Sequence, residues 1–312
     1  MDDLPLDTSH PMVRDYIKLI RLQVLTPLSL LINIATVMVC SLVVTPNLGA
    51  ISKLYPSAIS PEPRMIAAYI VLLYLCQIGY CILLVLARKP ETKNTLVKGV
   101  GLPLVFANWI MAGWAIAWLL QAFLVSTILL GILLVLLLYA NIVLLVYHAP
   151  TRERPLDIAL IHAPMRAFLI LPLNVLFWFS LFITRGWTWS PGEPQHYGRY
   201  QWAGLIVVLS TNILGFIIII LRRDIVWCVA ATWICASIWS LNPKPFPVWV
   251  AVVVFTVLHP IGLIASWLLL KLRRGRNEEE GRIHLPTDHE DEAGPDPGQR
   301  GPREVDAEAL WG

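Results

Sequence analysis

The sequence predicts an all-α protein, a polytopic transmembrane bundle of about eight helices. Of its 312 residues, 57% are hydrophobic and only 14% are charged, and the mean hydropathy is +0.66. A soluble domain carries about a quarter charged residues. From Gly99 to Thr151 there is no Lys, Arg, Asp or Glu. Because one helix needs about 20 residues to cross the hydrocarbon core, this stretch requires two crossings.

Apolar segments separated by polar loops give the individual spans. The predicted spans are 24–46, 65–87, 100–122, 125–147, 167–184, 202–221, 225–242 and 247–270. The fifth and seventh are the shortest. The loop from Arg185 to Trp202 is rich in Trp and Tyr, which is typical of the aromatic belt at a membrane interface.

The ends of the chain differ from this bundle in composition. Residues 1–23 form an N-terminal segment in which a short helix from Pro11 to Gln23 is expected, and residues 24–270 form the bundle. Residues 271–312 are charged, rich in Pro and Gly, and poor in aliphatic side chains. Such a segment cannot bury a core, so we expect a disordered tail.

The distribution of Lys and Arg predicts the orientation. With eight spans and the N-terminus in the cytoplasm, sixteen of the basic residues up to Arg276 fall on the cytoplasmic side and five on the other. The five are Lys53, Arg64, Arg185, Arg199 and Lys244. Basic loops normally face the cytoplasm, so both termini are expected there. The basic residues lie beside apolar spans rather than on one basic face, so the expected partner is the lipid bilayer and not a nucleic acid.

The predicted spans contain no Asp, Glu, Lys or Arg. Buried charges in spans are usually functional, so their absence argues against proton-coupled transport, a charged ion-channel ring and a voltage sensor. Asp157, Arg166 and Asp224 are expected at cytoplasmic boundaries, where water reaches them. The five cysteines lie in apolar stretches without metal-binding spacing. We therefore predict no catalytic residue, no metal site and no cofactor.

Uncharged polar residues and tryptophan remain as candidates for a binding site. Trp114, Trp118 and Gln121 fall at i, i+4 and i+7 and so share one face of the third span. Asn174 and Trp178 share a face of the fifth, and Asn108 lies one to two turns from Trp114. These six residues are predicted to line a cavity for a flat, hydrophobic ligand. The alternative is that the amides bond between helices and the indoles pack.

Several segments resemble a known family. They are ISKLYPSAISPEPRMIAAYIVLLYLCQIGYCILLVL, VFANWIMAGWAIAW, ERPLDIALIHAPMRAFLILPLNVLFW, GRYQWAGLIVVLSTNILGFIII and WCVAATWICASIW. Over roughly residues 24 to 265 the pattern is similar to the tryptophan-rich, TspO-like membrane family distantly related to translocator protein, and an uncharacterised fungal membrane-protein family looks closer still. Translocator proteins have five helices, whereas this sequence predicts eight.

The resemblance implies that the protein binds or moves a lipophilic small molecule of the tetrapyrrole, sterol or isoprenoid type, without a catalytic centre. Two alternatives remain. One is a membrane-embedded terpene cyclase of fungal secondary metabolism, which would need a buried acid to protonate its substrate. The other is a structural membrane protein without a small ligand.

Overall fold

A computed structural model describes residues 11–150, 154–190, 192 and 194–280. Over these residues the chain is helical and contains no strand. Seven helices are long and apolar enough to cross a membrane. An eighth apolar helix is shorter, with 16 residues. The predicted polytopic helical bundle is confirmed.

Each predicted span corresponds to one of these helices. In chain order, spans 1 to 8 are Tyr16–Val43, Pro63–Leu86, Pro90–Leu119, Phe123–Tyr147, Pro155–Thr184, Gln201–Arg222, Ile225–Ser240 and Phe246–Arg273. A seven-residue helix, Leu48–Leu54, lies in the loop between spans 1 and 2. A 3-10 helix, Pro194–Gly198, lies between spans 5 and 6.

Spans 3 and 5 begin earlier than the sequence predicts, at Pro90 and Pro155 instead of residues 100 and 167. Wide helical turns with i→i+5 bonding lie in these N-terminal extensions, at Thr95–Val100 and Ile158–His162. In span 3 the backbone leaves helical geometry at Gly101, where φ is 49°. A third wide turn begins at Pro172. Proline has no backbone N–H and so interrupts the regular i→i+4 hydrogen bonds of a helix. Wide turns often occur where those bonds are interrupted.

Spans 3 and 5 form the centre of the bundle. In their most apolar windows 61% and 67% of the residues are buried, against 28–39% in the other five long spans. These two helices are therefore surrounded mainly by protein. The other long spans expose rows of Leu, Ile and Val, which is the surface expected of helices that face lipid.

Span 7 is short for a membrane crossing. Its 16 residues extend over about 24 Å at 1.5 Å per residue, while the hydrocarbon core is about 30 Å thick. It nevertheless connects the two ends of the bundle. Asp224, directly before it, pairs with Arg166 in span 5, and Lys244, shortly after it, bonds to the loop between spans 1 and 2.

The loops meet in two groups, one at each end of the bundle. At the first, here the Arg166 end, Arg154 pairs with Glu91 at 3.1 Å and Thr92 donates to Asp157. At the opposite end, here the Lys244 end, the backbone N–H of Trp189 donates to the carbonyl of Pro56 over 3.1 Å. The loops therefore alternate between the ends, as eight crossings require.

The chain divides into a bundle that ends at Leu269 and a second unit from Leu270. The helix that contains span 8 continues to Glu280, past the predicted end at residue 270. Lys, Arg and Glu have high helix propensity, which explains this continuation. The predicted disorder of residues 281–312 lies outside the described residues, as do residues 1–10 of the N-terminal segment.

Candidate functional site

Trp118 lies at the centre of an aromatic cluster. Its ring centroid is 5.9 Å from that of Trp114, 5.4 Å from that of Phe123 and 5.4 Å from that of Phe179 in span 5. The indole N–H donates to the carbonyl oxygen of Leu48 over 3.4 Å. The side chain is 2% exposed. The shared face of Trp114 and Trp118 is thus packed against protein.

The remaining aromatic and amide residues of the predicted site point in different directions. Gln121 has left the helix with φ of 56°, and its Oε1 accepts a hydrogen bond from the Tyr55 hydroxyl at 2.7 Å. Trp178 donates to the carbonyl of Leu173 in its own span at 2.9 Å. Asn174 is buried, and neither of its amide atoms has a hydrogen-bond partner among the described residues.

Asn108 belongs to a polar contact among three spans. Its Oδ1 accepts from the amide of Asn33 in span 1 at 2.9 Å, and Asn33 in turn accepts from the Tyr74 hydroxyl in span 2 at 3.1 Å. This is the interhelical bonding that the sequence offered as an alternative. Each such bond contributes about 0.6 to 2 kcal/mol.

The structure therefore brings together Trp114 and Trp118, but it places Gln121, Asn108 and Trp178 in separate contacts. Two cavities of the bundle are lined by other residues. A ligand role for the six residues stays a prediction. One feature favours a ligand role: four of their buried polar atoms have no hydrogen-bond partner in the described part of the chain. They are Trp114 Nε1, Asn108 Nδ2 and both amide atoms of Asn174.

Replacing Trp118 by leucine is expected to destabilise the fold. The contacts of Trp118 are packing contacts. Truncating a buried Trp to Ala lowers the free energy of unfolding by about 3–5 kcal/mol, and the larger leucine side chain should make this loss smaller. Thermal unfolding in detergent measures the loss, and a lipophile titration measures affinity. Weaker binding with unchanged stability would instead assign Trp118 to a ligand site.

A cavity of about 180 Å³ opens at the Arg166 end between spans 4, 5, 6 and 7. Its walls are mainly apolar. The lining residues are Leu138, Asn141, Ile142, Leu144, Leu145, His162, Arg166, Leu169, Ile218, Arg222, Asp224 and Trp227. The apolar wall from span 4 and the charged groups from spans 5 to 7 give this cavity one lipophilic side and one polar side.

The polar side contains a buried ion pair. Arg166 Nη1 lies 2.7 Å from Asp224 Oδ2, and the two side chains are 14% and 3% exposed. Asp224 Oδ1 accepts hydrogen bonds from the backbone N–H groups of Val226 and Trp227, and so caps span 7. The sequence placed both groups at a water-exposed boundary, whereas the structure buries most of each side chain beside the cavity. Because span 5 begins at Pro155, Arg166 lies inside the helix instead of before it.

The other polar groups of the cavity are mostly donors. Asn141 uses its amide N–H group to bond the carbonyls of Leu137 and Met165, which joins spans 4 and 5. Arg222 and His162 also line the cavity. In the described part of the chain no group of three His, Cys, Asp or Glu side chains is arranged to hold a metal. The arrangement suits a molecule with an apolar body and a polar end.

The helical bundle defines an integral, multi-pass membrane protein, and the cavity is a half-open recess at its Arg166 end. The family model of the TSPO-like proteins matches residues 23–266. The chain belongs to the TSPO-like protein family, as its resemblance predicted. Among curated proteins and among solved structures, nothing matches it.

Proposed function

We propose that this protein binds a lipophilic ligand of the tetrapyrrole, sterol or isoprenoid type, without a catalytic centre, and that the cavity at the Arg166 end holds the ligand's polar group. The observation that carries the proposal is the combination of an apolar wall with a buried ion pair in one recess. Binding sites commonly join apolar walls to a few polar groups that fix orientation.

The size of the recess indicates how such a ligand would bind. Pockets that enclose a whole drug-sized molecule measure about 300–1,000 Å³, and this cavity measures about 180 Å³. Only part of a tetrapyrrole or sterol fits inside. The remainder would lie on the exposed side of the wall, where Leu138 and Ile142 are 46% and 49% exposed. Such a ligand would enter from the bilayer with its apolar body still in lipid.

Filling the recess tests this proposal. Ile142→Trp adds bulk to the cavity wall, whereas Ile132→Trp adds it to the same helix outside the cavity. The two isoleucines are 49% and 50% exposed, so the pair is matched in environment. We expect the affinity for protoporphyrin IX, a sterol or farnesol to fall at least tenfold in Ile142→Trp and to stay unchanged in Ile132→Trp, by equilibrium binding to purified protein.

Two results would contradict the proposal. One is that none of the three ligands binds saturably to the unmodified protein. The other is that both tryptophan variants bind as the unmodified protein does, which would place the ligand elsewhere.

The cyclase alternative gains no support from the buried carboxylate. Of the described residues that line the cavity at the Arg166 end, Asp224 is the one acid. Both of its oxygens act as acceptors, one toward Arg166 and the other toward two backbone N–H groups. A group that protonates an alkene or epoxide must present an O–H to the substrate, and both oxygens of Asp224 are already engaged with other partners.

We further propose that the Arg166 end faces the cytoplasm, because the basic residues concentrate there. A glycosylation sequon engineered at residues 191–194, in the loop whose Trp189 lies at the Lys244 end, should be glycosylated in a eukaryotic cell. A sequon placed beside Glu280 should stay unmodified. Glycosylation of the second site and not the first would show that the orientation is the opposite of the proposed one.

A further inference from the structure

A second cavity, of about 240 Å³, opens at the Lys244 end of the bundle. Three loops form it: the one between spans 1 and 2, the one between spans 5 and 6, and the one between spans 7 and 8. Its walls include Trp189, Pro243 and Ser60, and two of its lining residues are lysines, Lys53 and Lys244. Among the described residues that line it, these two lysines are the titratable groups, and both carry positive charge.

Lys244 is buried here, and its partners among the described residues are uncharged. The residue is 8% exposed. Its ammonium group donates hydrogen bonds to the carbonyl oxygens of Ser57 and Ser60. Over the residues that the structure describes, no carboxylate lies within ion-pair distance of it. Two neutral carbonyls orient an ammonium group, but they do not neutralise its charge.

The loop that holds Lys244 is itself fixed. The backbone N–H of Ser57 donates to the hydroxyl of Ser60 at 2.7 Å, and the two hydroxyls lie 3.1 Å apart. Ala58 and Ile59, between them, are each 1% exposed. The carbonyls that receive the ammonium therefore belong to a tight, packed turn, and the lysine is positioned before any ligand arrives.

Burying an ammonium group without an anion costs several kcal/mol. The structure shows the consequence, because burial lowers the pKa of Lys244 to about 7. Buried charges in proteins are usually paired or coordinated. Here the ammonium group borders an open cavity that has room for an anion, so the missing partner can come from outside the chain.

We propose that the cavity at the Lys244 end binds an oxyanion of the phosphate or sulfate type, which forms an ion pair with Lys244 and is assisted by Lys53. A lysine binds a phosphate as a point charge without demanding one geometry. The anion is either the headgroup phosphate of a lipid or a free ion, because both present the same oxygens. This site is separate from the lipophile cavity and does not depend on it.

The test uses the full chain and two probes. Inorganic sulfate keeps its charge between pH 6 and pH 8, so any change in its effect over that range reports on the protein. We expect millimolar sulfate to raise the unfolding temperature of detergent-purified protein at pH 6. At pH 8 the increase in unfolding temperature should be smaller. The sign follows from the lowered pKa: the ammonium form that binds the anion is lost as the pH rises through about 7.

Phosphatidic acid in nanodiscs is the second probe, with phosphatidylcholine nanodiscs as reference. If only phosphatidic acid stabilises the protein, the site binds a lipid headgroup. If phosphatidic acid and sulfate both stabilise it, the site binds any accessible oxyanion. Lys244→Met should abolish the effect, because it keeps the length of the side chain and removes its charge. Arg64→Met should leave the stabilisation by both probes unchanged, because it removes an exposed charge at the same end of the bundle but outside the cavity.

Two outcomes would overturn the proposal. The first is that neither probe stabilises the unmodified protein more than the neutral reference does. The second is that Lys244→Met responds to the probes as the unmodified protein does. If Lys244→Met does not fold, the pH series on the unmodified protein decides, and an effect of sulfate that is equal at pH 6 and pH 8 overturns the assignment to Lys244.

Discussion

Asp224→Asn is expected to lower the free energy of unfolding by about 3–5 kcal/mol, the cost of breaking a buried ion pair from one side. The variant leaves the guanidinium group of Arg166 buried without its counter-charge. It also weakens the cap of span 7, because a neutral amide attracts the first N–H groups of a helix less than a carboxylate does. Thermal or denaturant unfolding in detergent measures the loss.

The chain offers a matched control for this experiment. Arg154 and Glu91 form an ion pair at 3.1 Å whose side chains are 25% and 67% exposed. Glu91→Gln should cost at most about 1 kcal/mol, because exposed pairs contribute little. The double variant Arg166→Met with Asp224→Asn should recover part of the stability lost by Asp224→Asn alone. Equal, small losses in Asp224→Asn and Glu91→Gln would mean that water screens the pair after all.

Gly204→Ala is expected to destabilise the protein, whereas Gly215→Ala, in the same helix, should stabilise it. A Cβ at Gly204 would come within 2.7 Å of the Ala58 Cβ and 3.2 Å of a Val248 methyl group. The Cβ of Ala58 is fixed to the backbone of the tight turn that receives Lys244, so it cannot rotate away. Overpacking of this kind costs about 1–3 kcal/mol.

At Gly215 the nearest atoms to an added Cβ belong to the Trp227 ring, at 3.7 and 3.8 Å, which is ordinary contact. Alanine is about 1 kcal/mol better than glycine inside a helix, so this variant should gain stability. Unfolding temperatures of the two variants side by side check the difference. A gain in both would show that span 6 and the Ala58 turn are not in close contact.

Hydropathy and charge were enough to predict the bundle. Side chains that face lipid must be apolar over a whole crossing, so the stretch from Gly99 to Thr151 could be assigned to two helices from composition alone. The starts of spans 3 and 5 could not be predicted. Their N-terminal parts contain Lys98, Asp157 and Arg166, and a hydropathy pattern ends at charged residues even where helical structure extends beyond them.

The sites were harder to predict for a geometric reason. Helical spacing places Trp114 and Trp118 on one face correctly, but it does not say which helix that face meets, and the neighbour of Trp118 in span 5 is Phe179 instead of Trp178. The contacts of Arg166 and Lys244 join segments far apart in the chain. A single sequence contains no signal for such pairs.

The central claim is that a lipophile binds at the Arg166 end, and photolabelling tests it most directly. A sterol or a farnesyl chain that carries a diazirine would be cross-linked to the purified protein, with and without excess unlabelled ligand, and the modified peptides identified by mass spectrometry. We expect labelling of Ile142, Leu145 and Ile218 that the excess ligand suppresses. Suppressible labelling at Trp114, Trp118 or Trp178 instead, with none around Ile142, would contradict it.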